Sequence, residues 1–195
     1  MLFYLRWYMQ TVQPIRDPKK IEAIKNYLYE WDPKYWMLWV LGTNTGLRVS
    51  DILDLKVSDV RDADHAWLSE QKTGKGRRLY FNRQMRKTVN DYIREQGLSD
   101  DDYLIQSQKR RDKGMSREWA YTVLNRAAKA CGIDTSKEKI GTHTMRKTFG
   151  YWHYQRHHDV ALLQKIFNHS SPSITLRYIG VTDDLIDQSL EDFFI

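Results

Sequence analysis

His143-Thr-Met-Arg146 is the segment whose residue types and spacing point most directly to chemistry. Helix positions three apart share a face, so an imidazole and a guanidinium placed this way reach one bound group together. Both would stand in a first helical turn, where unpaired backbone N–H groups and the helix dipole attract an anion. Gly46-Leu-Arg48-Val-Ser-Asp51 repeats the theme at another helix start. There Asp51 would fix the Arg48 guanidinium and leave its other N–H donors for a ligand. His169-Ser-Ser-Pro-Ser-Ile-Thr-Leu-Arg-Tyr178 adds an imidazole and a phenol. Taken singly, each has an ordinary explanation: a solvated helix face, a surface ion pair, a packing tyrosine.

The segments that must position these residues read mainly as helix. Asp17-Pro18 is a start signal, and Ile21, Ile24, Tyr27 and Leu28 recur at helical spacing to about Glu30. Asp32-Pro33 repeats the signal. Its helix, through Tyr35 to Leu41, is apolar nearly all round and belongs at the centre of a core, ending over Gly42 to Gly46. A short helix follows, with Ser50 as its cap and Ile52, Leu53 and Leu55 facing inward. The period then changes. Residues 66–71 and 77–81 flank Lys72-Thr-Gly-Lys-Gly76, which predicts a β-hairpin with a basic tip; Val57 to Val60 would add a third strand. Met85, Val89, Tyr92 and Ile93 mark a helix stopped by Gly97. Gln108 to Gly114 is a basic loop. Ser116 caps a helix carrying Trp119, Val123, Leu124 and Ala127. Thr142 caps one from His143 to about His157, Asp159 starts another through Ile166, and Ser171-Pro172 opens a short one holding Tyr178. The expected fold class is mainly α with a small antiparallel β-sheet (α+β).

With 195 residues, of which 41% are hydrophobic, the chain can bury one sizeable core. A net charge of +6 favours an anionic partner, nucleic acid ahead of a membrane surface. The single cysteine, Cys131, excludes a disulfide framework within the chain and a CxxC-type zinc site, and fits a reducing cytosol. Met1 to Gln10 is apolar but lacks the basic leader and small-residue cleavage site of a signal peptide. The run from Tyr35 to Leu41 is too short to span a bilayer. His153 and His157 lie at i,i+4 without an HExxH-type acid and read as surface histidines. No metal, no cofactor and no membrane partner are expected, and a cytoplasmic location is.

Together the chemical segments resemble the catalytic domain of the tyrosine recombinase, or phage integrase, family. The pattern is an Arg with an acidic residue three on (Arg48, Asp51), a hairpin Lys (Lys72), HxxR (His143, Arg146), and a His nine residues before a Tyr (His169, Tyr178). The likeness covers about residues 13–180. Residues 1–12 read as an N-terminal extension or linker remnant, and 181–195 as a C-terminal tail. Three departures stand out. Asn168 replaces the usual small residue before the second His, Met145 replaces the usual Leu within HxxR, and no segment reads as the core-binding domain that completes a clamp round the duplex.

The resemblance implies site-specific recombination of double-stranded DNA through a 3′-phosphotyrosine at Tyr178, in a bacterial or phage-encoded, nucleoid-associated enzyme of a mobile element. It implies a tetramer on DNA, with the tail docking on a neighbouring protomer, and accessory DNA-bending or directionality proteins. The chemistry suits the residue types. Attack on a phosphodiester builds charge on the non-bridging oxygens, and Arg grips these bidentately without losing its proton. Arg48 and Arg146 would hold both oxygens, and His169 would add a donor. Tyr178 needs a proton acceptor, for which His143 is the candidate, and Lys72 is the candidate acid for the leaving 5′-oxygen. Lys75, Arg77, Arg78, Lys109, Arg110, Arg111, Lys113 and Lys147 are candidate phosphate contacts. Two rival readings use the same residues: a type IB topoisomerase that relaxes DNA without a specific site, and a DNA-binding accessory protein with a relict site.

Overall fold

The computed structural model describes residues 12–69, 76–108, 110, 112–181, 190–191 and 193–194; for Ser69, Gly76 and Arg77 it describes the backbone alone. Helices α1 (Pro18–Trp31) and α2 (Pro33–Thr45) both begin on an Asp-Pro pair. Asp17 and Asp32 accept hydrogen bonds from Lys19 N and Lys34 N, and each Pro takes a position where no N–H is needed. Helix α2 is the centre of the core. Tyr35, Met37, Leu38 and Leu41 are wholly buried, and α1 packs along it. It runs through Gly42 to Thr45, further than its sequence suggests, and stops at Gly46 in the left-handed region (φ 64°).

The short helix α3 is Val49–Leu53, capped at the Arg48 position rather than by Ser50. Val57–Asp59 forms one 3₁₀ turn, not a third strand. Its N–H groups turn instead to the 100–102 loop, with Val57 N on Asp102 O and Ser58 N on Asp100 O. Among the described residues the sheet is therefore two-stranded. Strands β1 (His65–Ser69) and β2 (Gly76–Tyr80) pair antiparallel in the register His65↔Tyr80 and Ala66↔Leu79. Ala66 and Leu79 face the core, while Trp67 and Tyr80 stand out at 71% and 64% exposure. Helices α4 (Arg83–Glu95) and α5 (Arg117–Ala130) follow, started by Asn82 and Ser116 as side-chain caps. Between them, the basic loop is anchored by Tyr35, whose buried hydroxyl accepts from Gln108 Nε2 at 2.6 Å and Trp119 Nε1 at 3.0 Å.

Three helices end the described fold: α6 (Thr144–His157), α7 (Val160–Phe167) and α8 (Pro172–Ile179). Thr142 does not cap α6; His143 takes the cap position and makes no side-chain cap bond. Asp159 and Ser171 do cap α7 and α8, through Leu162 N and Ile174 N. These helices enclose a small second core of Leu163, Phe167 and Ile179, edged by Phe149 and Tyr178. Gly150 makes this packing close. A Cβ there would meet Ile179 Cγ2 at 2.6 Å and Phe167 Cζ at 2.7 Å. Replacing it by Val should therefore overpack the seam and lower stability by about 1–3 kcal/mol. An unchanged urea midpoint for Gly150→Val would show that α8 can retreat without cost.

Candidate active site

Arg146 sits in the first turn of α6 and is only 2% exposed. A buried guanidinium must be met by acceptors. Its Nη1 donates to Gly46 O at 2.6 Å and its Nη2 to Phe167 O at 2.8 Å. The group also lies over the Phe167 ring, 4.3 Å from its centre. Arg146 thus ties the turn before Arg48 to the end of α7, just before His169. With five N–H donors, the fork can make these bonds and still serve a ligand.

Tyr178, on α8, is half-buried among groups from three segments. Its hydroxyl lies 3.2 Å from His143 Nδ1. Its ring meets those of His169 and Phe167 at centroid distances of 5.1 and 5.4 Å, and Lys147 Nζ lies 5.0 Å over it. His169 leans on Thr175, with Nδ1 and Oγ1 3.0 Å apart. Asn168 takes the left-handed conformation (φ 53°) that ends α7. That explains the departure noted in the sequence: after Gly, Asn is among the residues that adopt this conformation most readily. Arg48 is more open, with its side chain 39% exposed and Nη1 4.0 Å from Asp51 Oδ2. Asp51 also accepts from Ser50 Oγ at 3.3 Å.

Burial sets the resting protonation of the site. It raises the Tyr178 pKa above that of an ordinary phenol, and the positive charges of Arg146 and Arg48 only temper the shift. It lowers His143, helped by the cations Arg146, Lys147, Arg117 and Arg48. His169 is lowered by burial, then by Arg146 and Arg48, and Lys147 by burial. At neutral pH the site therefore holds a phenol and two neutral imidazoles beside two arginines.

Arg48, Asp51, His143, Arg146, His169 and Tyr178 thus come from distant parts of the chain into one region. Lys72, Lys75, Lys109 and Arg111 lie outside the described residues, as does the Arg77 side chain. Arg78 and Lys113 are exposed; Arg110 is exposed and paired with Asp112. Lys147 is half-buried against the Tyr178 ring. His153, read from the sequence as a surface histidine, is half-buried, and its Nδ1 is buried without a hydrogen-bond partner. Sequence reading missed Thr175 and the carbonyls of Gly46 and Phe167. A carbonyl carries no residue identity, so no sequence signal marks it. Among the described residues no group of three or more His, Cys, Asp or Glu could hold a metal, and no helix is long and apolar enough to cross a membrane.

The sequence pattern of the phage integrase family matches residues 17–184. The chain belongs to that family. It is 46% identical over 176 residues to the probable integrase/recombinase YoeC of Bacillus subtilis (strain 168), covering 90% of this chain and 93% of that one. It is 26% identical over 150 residues to the tyrosine recombinase XerA of Pyrococcus furiosus, where it spans 50% of the relative's length. The fold superimposes on a crystal structure of XerA recombinase with a TM-score of 0.72 at 20% identity, covering 93% of this chain and 64% of that one. A lambda integrase dimer bound to a COC′ core site gives 0.69 at 18% identity, covering 95% of this chain and 51% of that one. The shared architecture is thus the mainly helical domain with a small antiparallel sheet.

The burial of Arg146 separates the two arginines by stability. Arg146→Ala strands two buried carbonyls and should cost about 2–4 kcal/mol. Arg48→Ala removes a loose, partly exposed i,i+3 pair and should cost under about 1 kcal/mol. Equal denaturation midpoints for the two variants would refute the distinction.

Proposed function

We propose that this chain breaks and rejoins double-stranded DNA at specific sites through a 3′-phosphotyrosine bond on Tyr178. The observation that carries the reading is the convergence of His143, Arg146 and His169 on one tyrosine, within a member of the phage integrase family. Tyr178 Oη attacks the phosphorus and its proton passes to His143 Nδ1. Arg48 and Arg146 take the charge that builds on the non-bridging oxygens, and His169 adds a hydrogen bond. The 5′-oxygen leaves with a proton from Lys72. Attack by a 5′-hydroxyl on the phosphotyrosine reverses these steps and rejoins the strand, so the energy of the broken bond is kept. Asp51 serves as an orienting partner for Arg48.

The raised Tyr178 pKa means that the free site holds no phenolate at neutral pH. Proton transfer to His143 must then accompany attack, and His143 is available because it is neutral. In this reading residues 13–180 are the catalytic domain. Exposed Arg78, Arg110 and Lys113, with the other cations of their loops, meet phosphates. Residues 181–195 form a tail that docks on a neighbouring protomer on DNA. The outward placement of Leu190, Phe193 and Phe194, at 58%, 66% and 98% exposure, supports that docking. The location proposed is the cytoplasm, on the nucleoid.

Two experiments test this function. Tyr178→Phe should retain DNA binding yet form no covalent adduct with a nicked suicide substrate on a denaturing gel. An adduct that persists in the variant would assign the nucleophile elsewhere. For the acid, Lys72→Ala should be slow on ordinary DNA and nearly restored when the bridging 5′-oxygen is sulfur. A thiolate leaves without a proton because its reference pKa is about 8.5. Arg146→Ala should stay slow on both substrates. Single-turnover cleavage decides between them: no rescue of Lys72→Ala removes that residue as the acid.

A further inference from the structure

Thr175 is a polar side chain with no solvent exposure, three residues before Tyr178 on α8. Its hydroxyl has two acceptors within reach, His169 Nδ1 at 3.0 Å and the Ser171 carbonyl at 3.3 Å. One hydroxyl proton can serve only one of them at a time. The Ser171 carbonyl already accepts from the Thr175 backbone N–H, also at 3.3 Å. Donated to the Nδ1 lone pair, the hydroxyl proton leaves the Ser171 carbonyl to its backbone donor; donated to the carbonyl, it leaves Oγ1 to accept from an Nδ1–H. In a neutral imidazole, the partner of one nitrogen decides which nitrogen carries the hydrogen. With Nδ1 accepting, Nε2 must carry it.

We propose that Thr175 is a positioning residue that keeps His169 an Nε2–H donor to the DNA phosphate in both its neutral and its protonated state. When the imidazole gains a proton, Nδ1–H needs an acceptor. The hydroxyl then turns its own proton to the Ser171 carbonyl and offers Nδ1 a lone pair. Both states keep a hydrogen bond at Nδ1 and an N–H at Nε2. A carbonyl or carboxylate in this place could only accept. It would hold neutral His169 as the Nδ1–H tautomer, with a bare Nε2 lone pair facing an anion. The neutral state is the one that matters, because burial and then Arg146 and Arg48 lower the His169 pKa.

The surroundings leave this task to Thr175. Arg146 from α6 and Arg48 from the start of α3 supply the charges that His169 senses. Tyr178 from α8 and Phe167 from α7 present ring faces or edges at 5.1 and 5.2 Å. The His169 backbone is pinned by Gln164: its N–H donates to Gln164 O, and its carbonyl accepts from Gln164 Nε2, both at 3.0 Å. The ring's remaining freedom is its rotation and its tautomer, and the Thr175 hydroxyl is the side-chain group that meets it at Nδ1.

The proposal rests on the reading of His169 as a phosphate donor, so its test has an arm that needs no DNA. ¹⁵N NMR of the whole chain with labelled histidines reports which His169 nitrogen is protonated. Nε2 should stay protonated on both sides of the His169 titration, while Nδ1 changes; Thr175→Ser should preserve this pattern. A wild-type chain with neutral His169 protonated at Nδ1 overturns the proposal. The second arm is single-turnover cleavage of a suicide substrate against pH, as the ratio of Thr175→Val to wild type. His143, Lys147 and Tyr178 titrate in both proteins and cancel in that ratio. The valine variant should lose on the order of ten-fold above the His169 titration, the scale set by partners behind a functional histidine. The loss should shrink below the titration, where both nitrogens carry hydrogen whatever stands at position 175. A defect equal at every pH, or one that Thr175→Ser fails to repair, overturns the proposal. If the wild-type chain forms no tyrosine adduct, the recombinase reading fails instead, and the NMR arm decides the tautomer alone.

Discussion

A guanidinium that is 2% exposed is the constraint around which this site is organised. Arg146 cannot shed its proton, so the fold must bring acceptors to it. It brings the carbonyls of Gly46 and Phe167, one from each side of the site. Gly46 can turn its carbonyl inward because it ends α2 in the left-handed region, with the Phe149 ring packed where a Cβ would stand. Phe167 ends α7, and the left-handed Asn168 after it sends the chain to His169. The same two bonds that hold the cation therefore set where Arg48 and His169 begin.

The electrostatics follow from that choice. Two fixed positive charges beside Tyr178 would be expected to favour a phenolate, yet burial outweighs them and the phenol stays protonated. The same charges, added to burial, keep His143 and His169 neutral. The resting site is thus cationic in its arginines and uncharged at Tyr178, His143 and His169. In the proposed reaction an incoming phosphodiester would meet a preorganised field, and Tyr178 would gain charge only as its proton leaves.

The small core of α6, α7 and α8 converts this chemistry into a packing problem. Phe167 is at once a wholly buried core residue, the ring beneath Arg146, a neighbour of Tyr178 and a backbone acceptor. Gly150 lets α8 approach closely enough for the Tyr178 hydroxyl to reach His143. The larger core round α2 meets this layer at Gly46, whose carbonyl accepts from Arg146, and at Gly42, where Met145 fills the space a side chain would need. That contact accounts for Met145 where the family usually carries Leu: an unbranched side chain lies against the bare helix backbone.

Much of this was legible in the sequence because it is local. Asp-Pro pairs, Ser116, Asp159 and Ser171 announce helix starts through their own side chains, and the change of period in 66–71 and 77–81 around a Gly-containing loop announces a hairpin. The candidate residues came from the resemblance to the family pattern, whose residue types suit phosphate chemistry. What failed were local rules overridden by nearby backbone: Ser50 and Thr142 do not cap, and Val57 to Asp59 bond a loop rather than a strand. The tertiary structure alone decided how the residues act on one another. Only the packed chain buries Arg146 and not Arg48, lays Lys147 over Tyr178, and places a threonine hydroxyl behind His169. The physical reason is that pKa shifts, tautomers and buried ion partners depend on distances of a few ångströms between segments far apart in the chain, and sequence spacing carries no such distances.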